Sequence, residues 1–449
     1  MAACGSDVLT LFLRLLPVQF FAAALEQAGV KENNRVYNSA VVVWLMIFQC
    51  LVQGTLESAV LELLSGGLPS SFWPKPCKRV AEAAREGGGR LSNETSAFNK
   101  GRQELSSPVL EQCYDHAFQQ LIEPADLAPD RRQAFFFDGT TVRMPHSEDL
   151  AKSYPPTGNQ HGTSHWPSLR LLAAHDLYTG LGMRPEWGPV NGGKGKAVSE
   201  QSLLDKAIDR LPSDATVVAD ANFGVFSVAW AAAQSGHPVV LRLTKVRAMH
   251  LAGGPLQDGT DRRIRWKPTR EDRRSHPDLP KDASVSGRLI VRQVQPNNGA
   301  EPFLLALFTT LEDAPEAVAE LYGKRWNIEL DLRQLKNTLR LDELTCTSTE
   351  MVAKEINVRM LTYNLVRATI CLTALKAGLE PRVFSFTQVK NVLQAFLPRI
   401  AAATDERTRR KLYDDMEYYL GRCKLPQRQR PSYPRTVWPK PKSYPARHA

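Results

Sequence analysis

Apolar residues follow two patterns along the chain. Residues 9–25 and 41–52 are almost continuously apolar, whereas from residue 134 onward short β-branched and aromatic runs alternate with longer mixed segments. The first pattern predicts buried helices. Asn38 and Ser39 are placed to cap a helix starting near Ala40, Gly66, Gly67 and Pro69 end the next, and Gly87, Gly88 and Gly89 mark an open linker. Ser106, Ser107 and Pro108 begin another helix, because proline is tolerated in a first turn. The second pattern predicts strands over 134–144, 169–178, 183–190, 216–220 and 238–243, with helices near 199–210 and 223–235. Alternation of this kind builds an α/β core. Residues 350–420 return to helix, 355–375 and 386–400 among them.

Two acids interrupt the strand pattern. Asp138 stands inside the apolar run 134–142, and Asp220 ends the run 215–220. An aspartate in such surroundings is costly unless it is paired, hydrogen-bonded or bound to a metal. A third acid, Glu329, lies in Tyr322-Gly323-Lys324-Arg325-Trp326-Asn327-Ile328-Glu329, with Lys336 seven residues further on. At 3.6 residues per turn, Tyr322, Arg325, Glu329 and Lys336 are expected within about four turns of one helix. Three carboxylates suit hard divalent cations such as Mg²⁺ or Mn²⁺. Two such ions clamp the attacking and leaving oxygens of an in-line phosphoryl displacement.

The order Asp138, Asp220, Glu329, together with the spacing Tyr-x2-Arg-x3-Glu-x6-Lys, resembles the DDE transposases of the bacterial insertion sequence 4 family. The similarity runs from about residue 15 to the basic tail; near Asp220 the chain carries Asn222, where the family prefers a small residue, followed by the matching aromatic Phe223. The resemblance implies an α/β fold with a ribonuclease H-like catalytic core, a β-rich insertion, and flanking helical N-terminal and C-terminal regions. It also implies that Asp138, Asp220 and Glu329 are catalytic and bind two Mg²⁺ or Mn²⁺ ions. The expected reaction is cutting at the terminal inverted repeats of an insertion sequence and joining of the 3′ ends to target DNA. The expected partners are terminal-repeat and target DNA and a second copy of the chain in a synaptic complex.

In this reading Tyr322, Arg325 and Lys336 grip phosphates. Trp326 stacks on a base drawn out of the duplex, with Trp266 a second candidate for that task. The acids are 82 positions apart (220 − 138) and 109 apart (329 − 220), and the second gap is too long for one strand and a turn. It predicts a β-rich insertion over about 245–310, supported by strand-like runs at 288–294 and 303–309. Arg263 and Arg265 belong to its basic run, which includes Trp266 and can hold a displaced DNA strand by charge and stacking. The predicted division is a helical DNA-end-binding region 1–130, a catalytic region 131–345, a helical region 346–420 and a basic extended tail 421–449. Residues 91–102, with Lys100 and Arg102, resemble the segment that introduces a recognition helix in the family.

Composition narrows the classes further. A formal charge of +10 favours a polyanionic partner, and from residue 421 the chain carries eight Lys or Arg with no acid, interleaved with prolines, Tyr433, Trp438 and Tyr444. Seven scattered cysteines with no CxxC pair argue against a disulfide framework or a zinc module and fit a reducing cytoplasm, while the family resemblance implies a bacterial, nucleoid-associated protein. Residues 9–25 lack a basic leader and are interrupted by Arg14 and Pro17, against a secretory signal. Residues 41–52 fall short of the roughly 20 needed to span a bilayer, so no membrane partner is expected. Residues 188–195 approximate a phosphate-binding loop but place Gly195 where a Ser or Thr hydroxyl should meet magnesium, so no ATPase activity is expected. Two other readings share the basic character: a non-catalytic DNA-binding protein or repressor derived from such an element, and a metal nuclease that never joins ends.

Overall fold

The structure, a computed structural model, describes residues 8–426 apart from 66–67, 86–87, 124–132, 157, 160–161, 164, 193–196 and 296–300. The N-terminal helices are α1 (Val8–Leu15), α2 (Val18–Gln27), α3 (Ser39–Val52), α4 (Leu56–Leu64), α5 (Lys78–Ala83), α6 (Ser96–Glu104) and α7 (Ser107–Ile122). Pro17 separates α1 from α2, and the Asn38 side chain accepts from the Val41 N–H at the start of α3. Among the described residues, no single helix is long and apolar enough to cross a membrane. Helix α3 is instead buried nearly all round, which is why its sequence lacks an amphipathic period.

The central block contains β1 (Ala134–Arg143), α8 (Glu148–Ser153), the short pair β2 (Gly158–Asn159) and β3 (Gly162–Thr163), β4 (Ser168–Asp176), β5 (Glu186–Pro189), α9 (Glu200–Ala207), β6 (Thr216–Ala219), α10 (Phe226–Gln234) and β7 (Val239–Arg242). Strand β1 pairs antiparallel with β4, and β4 antiparallel with β5; β1, β6 and β7 run parallel. The resulting order β5-β4-β1-β6-β7 is the ribonuclease H-like arrangement expected from the sequence.

Helix α11 (Lys245–Ala252), β8 (Asp261–Trp266), α12 (Arg270–Ser275), β9 (Val285–Val294) and β10 (Phe303–Thr309) follow. Their strands extend the same sheet: β10 pairs with β7, β9 with β10 and β8 with β9, giving eight strands in all. The β-rich insertion is therefore built onto the edge that β7 would otherwise leave unpaired.

Next come α13 (Pro315–Gly323), α14 (Trp326–Arg333), α15 (Thr349–Ala377), α16 (Phe386–Ala401) and α17 (Glu406–Arg422). The long α15 packs against α1, α3, α7, α16 and α17, so one helix ties the N-terminal and C-terminal helices together. Asn364 in α15 bonds both the N–H and the C=O of Gly182, and the Tyr114 hydroxyl of α7 donates to the same carbonyl. This pins α7 and α15 to the segment between β4 and β5. Of the basic tail, Arg422 closes α17 and Lys424 bridges to Phe384, while the tail from residue 427, with Tyr433, Trp438 and Tyr444, lies outside the described residues.

Candidate functional site

Strand register brings the first two acids together. Phe137 on β1 is paired with Ala219 on β6, and Asp138 and Asp220 are the next residues on these neighbouring parallel strands. The apolar strings that fix the register are buried throughout, so the acids stand at the point where burial begins to give way. The Asp138 Oδ1 accepts from the Gly139 N–H at 2.9 Å, and the Asp220 Oδ1 accepts from the Asn222 N–H at 2.8 Å. The second bond closes a tight Asx-type turn. That turn lies so near β7 that a Cβ at Gly224 would stand 2.0 Å from the Arg242 carbonyl oxygen, a position only glycine can occupy.

Charge is left uncompensated at Asp138. Burial and the negative charge of Asp220, with a further push from Glu200, raise its carboxyl to about 6, against the opposing Gly139 N–H and Arg325. Helix α14 packs against β1 and β4, and the Lys336 ammonium donates to the Thr141 carbonyl further along β1 at 3.3 Å. Glu329 therefore lies on the helix that crosses the strand bearing Asp138. Its carboxylate is paired with Arg325 at 3.1 Å, one turn back. Among the described residues, no three His, Cys, Asp or Glu side chains converge as a ready metal-binding group. The donor chemistry nonetheless fits a hard divalent cation: adjacent carboxylates, one with a raised affinity for protons, carry negative charge that a metal ion would neutralise.

The expectation of one helix for the whole signature is corrected. Tyr322 lies near the end of α13, Lys324 and Arg325 form a turn, Glu329 lies on α14, and Lys336 sits in a π-helical turn, Gln334–Thr338. Tightened bonds from the Arg325 N–H to the Tyr322 carbonyl, at 2.9 Å, and from Lys324 to Leu321, at 3.2 Å, separate the helices. Such irregular turns inside helices are frequent at functional sites.

Tyr322 differs from the expected phosphate contact. It is 4% exposed, and its hydroxyl is buried. Burial raises its pKa, partly offset by the charges of Arg242 and Arg325. Tyr322 is thus a core residue and not a surface group. Arg325 is partly exposed, Lys336 also pairs with Asp342 at 3.4 Å, and Trp326 is 56% exposed beside the signature.

Trp266 is corrected outright. It is 3% exposed, with its ring edge-on to Phe308 at 4.9 Å and to Phe226 at 6.1 Å, so it belongs to the core. Alternation along β8 turns Trp266 inward and leaves Arg263 and Arg265 outward, where they bond Glu312 and Ser284. β8 is four strands from β6, or about 19 Å at about 4.8 Å per strand, so these arginines are not gathered at the carboxylates. The recognition-helix segment forms α6, where Lys100 pairs with Glu104, and Arg102 reaches the Cys346 Sγ at 3.8 Å. In the near-phosphate loop, Gly188 and Pro189 end β5 and residues 193–196 lie outside the described residues.

Sequence reasoning passed over one acid at this site. Glu200, in the first turn of α9, reaches Gly139 and the Asn222 side chain. An acid in a first helical turn reads as an ordinary complement to the helix dipole, so no signal in the sequence singled it out.

Residues 129–365 match the family model described as the transposase DDE domain. The chain is 24% identical over 318 residues to the transposase InsG for insertion sequence element IS4 of Escherichia coli (strain K12), covering 69% of this chain and 68% of that protein. A cryo-EM structure of a piggyBac transposase synaptic complex with hairpin DNA aligns with a TM-score of 0.44 at 11% identity, over 94% of this chain and 87% of that one. The matched residues contain β1, β6 and α14 with all three acids, and the chain belongs to the DDE transposases, with the insertion sequence 4 element transposase among its relatives.

Proposed function

We propose that the protein cuts DNA at the terminal inverted repeats of an insertion sequence and joins the freed 3′ ends to target DNA. The observation that carries this reading is the pairing of Phe137 with Ala219, which sets Asp138 and Asp220 side by side under the helix bearing Glu329. Asp138, Asp220 and Glu329 are the residues that would hold two Mg²⁺ or Mn²⁺ ions. When bound, the ions supply an activated oxygen nucleophile and stabilisation of the leaving oxygen.

The chain's own groups then have distinct tasks. Asp138 and Asp220 are fixed by backbone N–H bonds, so their carboxylates are pre-positioned. Glu329 exchanges its ion pair with Arg325 for the site, which frees the Arg325 guanidinium for a bidentate phosphate contact. Lys336, held against β1, contributes a point charge, and the exposed Trp326 offers a face on which an unstacked base can rest. Arg263 and Arg265 give the far end of the sheet a basic surface along which a DNA strand can run. Two DNA ends are brought together by two copies of the chain. The reaction takes place in the bacterial cytoplasm, on nucleoid DNA.

End-labelled DNA carrying the flanking inverted repeat tests the reading. The wild-type chain is expected to nick at the repeat boundary only with Mg²⁺ or Mn²⁺, and Asp138→Asn and Glu329→Gln are each expected to abolish nicking while the repeat is still bound. Tight binding by wild type without cleavage in either metal would replace the proposal with the non-catalytic DNA-binding reading. Cleavage without end joining would reduce it to a nuclease.

A further inference from the structure

We propose that Glu200 is a positioning residue of the carboxylate site, holding the turn after Asp220 through Asn222; the inference rests on the metal-dependent reading above. Glu200 opens α9, which packs against β1, β4 and β5. One oxygen, Oε1, lies so close to β1 that a Cβ at Gly139 would stand 2.0 Å from it, and only glycine lets the carboxylate reach this far. The other oxygen accepts from the Asn222 side-chain amide. Asn222 in turn gives its backbone N–H to the Asp220 Oδ1 at 2.8 Å. The neighbouring Gln201 Nε2 donates to the Asn222 carbonyl at 2.7 Å, so two consecutive residues of α9 grip the residue that orients Asp220.

The ordinary role for an acid here, completing the start of a helix, is already filled. Ser199 and Ser202 form a reciprocal capping box, with bonds of 3.0 and 3.1 Å between each side chain and the other's backbone N–H. Glu200 therefore turns away from its own helix toward Asp138, whose carboxylate it repels. That arrangement is unfavourable without a cation and favourable with one. Residues that orient metal ligands through one intervening bond typically change metal affinity 10-fold to 100-fold when removed.

The test is a Mn²⁺ titration of the full chain, following the electron paramagnetic resonance signal of free Mn²⁺, on wild type, Asp138→Asn, Glu200→Ala, Asn222→Ala and the Glu200→Ala/Asn222→Ala pair. Asp138→Asn is expected to abolish binding. Each of the other single variants is expected to weaken it by about 10-fold. The pair should be no worse than either alone, because both changes cut one chain of contacts. Urea midpoints measured in parallel should stay near wild type, which separates positioning from loss of fold; if Glu200→Ala does not fold, Asn222→Ala carries the comparison. Wild-type affinity in Glu200→Ala and Asn222→Ala, with Asp138→Asn inactive in binding, overturns this inference and leaves the parent reading intact. Additive losses in the pair also overturn it, by removing Asn222 as the link. Undiminished binding by Asp138→Asn overturns both.

Discussion

Two aspartates on adjoining elements have opposite surroundings. Asp331 lies on α14, two residues beyond Glu329, and is fully buried. Arg382 contacts both of its oxygens, at 2.7 and 2.9 Å, Arg367 donates to one, and the His175 ring nitrogen stands 3.6 Å away. Burial pushes its carboxyl up, but Arg382 and Arg367 outweigh that and hold it below the usual carboxylate range. Asp138, on the strand beneath, meets a second carboxylate instead of an arginine pair and is pushed up to about 6. One acid is completed by cations the chain carries; the other faces a like charge, and in the proposed function a metal ion would offset it. The first arrangement fixes α14 to α15 and β4, and the second uses the position so fixed.

The strongest way to break this comparison is to remove Asp331. Asp331→Ala leaves Arg367 and Arg382 charged and unpaired in the interior, and such a change typically costs about 3–5 kcal/mol. Urea unfolding at pH 7 is expected to show a loss of that size. A change under 1 kcal/mol would mean that the arginines find other partners and that the cluster does not hold α14.

Glu62 sharpens the comparison from another side. It is 7% exposed on α4, and burial raises its carboxyl to about 7. Because the folded pKa exceeds the unfolded one, its contribution to stability is full below about pH 4.5 and is lost as pH rises through 7. Glu62→Gln is expected to stabilise the protein by on the order of 2 kcal/mol at pH 8.5, with the gain fading toward pH 5. A pH-independent effect would show that the side chain reaches solvent.

Much of this was legible in the sequence because period and interruption are local signals. The run 303–309 forms β10, the run 134–144 forms β1, and Asp138 and Asp220 stood out as polar breaks in apolar strings. The spacing of Tyr322, Arg325, Glu329 and Lys336 identified the signature, but spacing cannot report the turn at Lys324 and Arg325 or the π-turn at Gln334–Thr338, which depend on packing. Trp266 looked accessible because it stands in a run with six arginines, whereas strand alternation turned it inward. The helix over 355–375 was legible, but the partners of its buried Arg367 and Asn364 come from distant segments that no local pattern reports. Glu200 illustrates the same limit, since its partners are 61 (200 − 139) and 22 (222 − 200) positions away.

The smallest expected effect is the one that separates the two aspartates most directly. Asp138→Asn keeps an oxygen to accept from the Gly139 N–H, so the backbone bond at 2.9 Å is retained while one of two repelling charges is removed. In metal-free buffer at pH 8, with a chelator present, the variant is expected to be more stable than wild type by on the order of 1 kcal/mol, since a partly solvated acid recovers only part of its electrostatic cost. The sign carries the argument, because truncating the paired Asp331 destabilises and neutralising the unpaired Asp138 stabilises. A site that loses stability when its acid is neutralised is structural, and such a result for Asp138 would remove the electrostatic reason for a cation between it and Asp220. A gain that disappears when Mg²⁺ is added back to both proteins would instead show that the strain in the wild-type site is relieved by the ion.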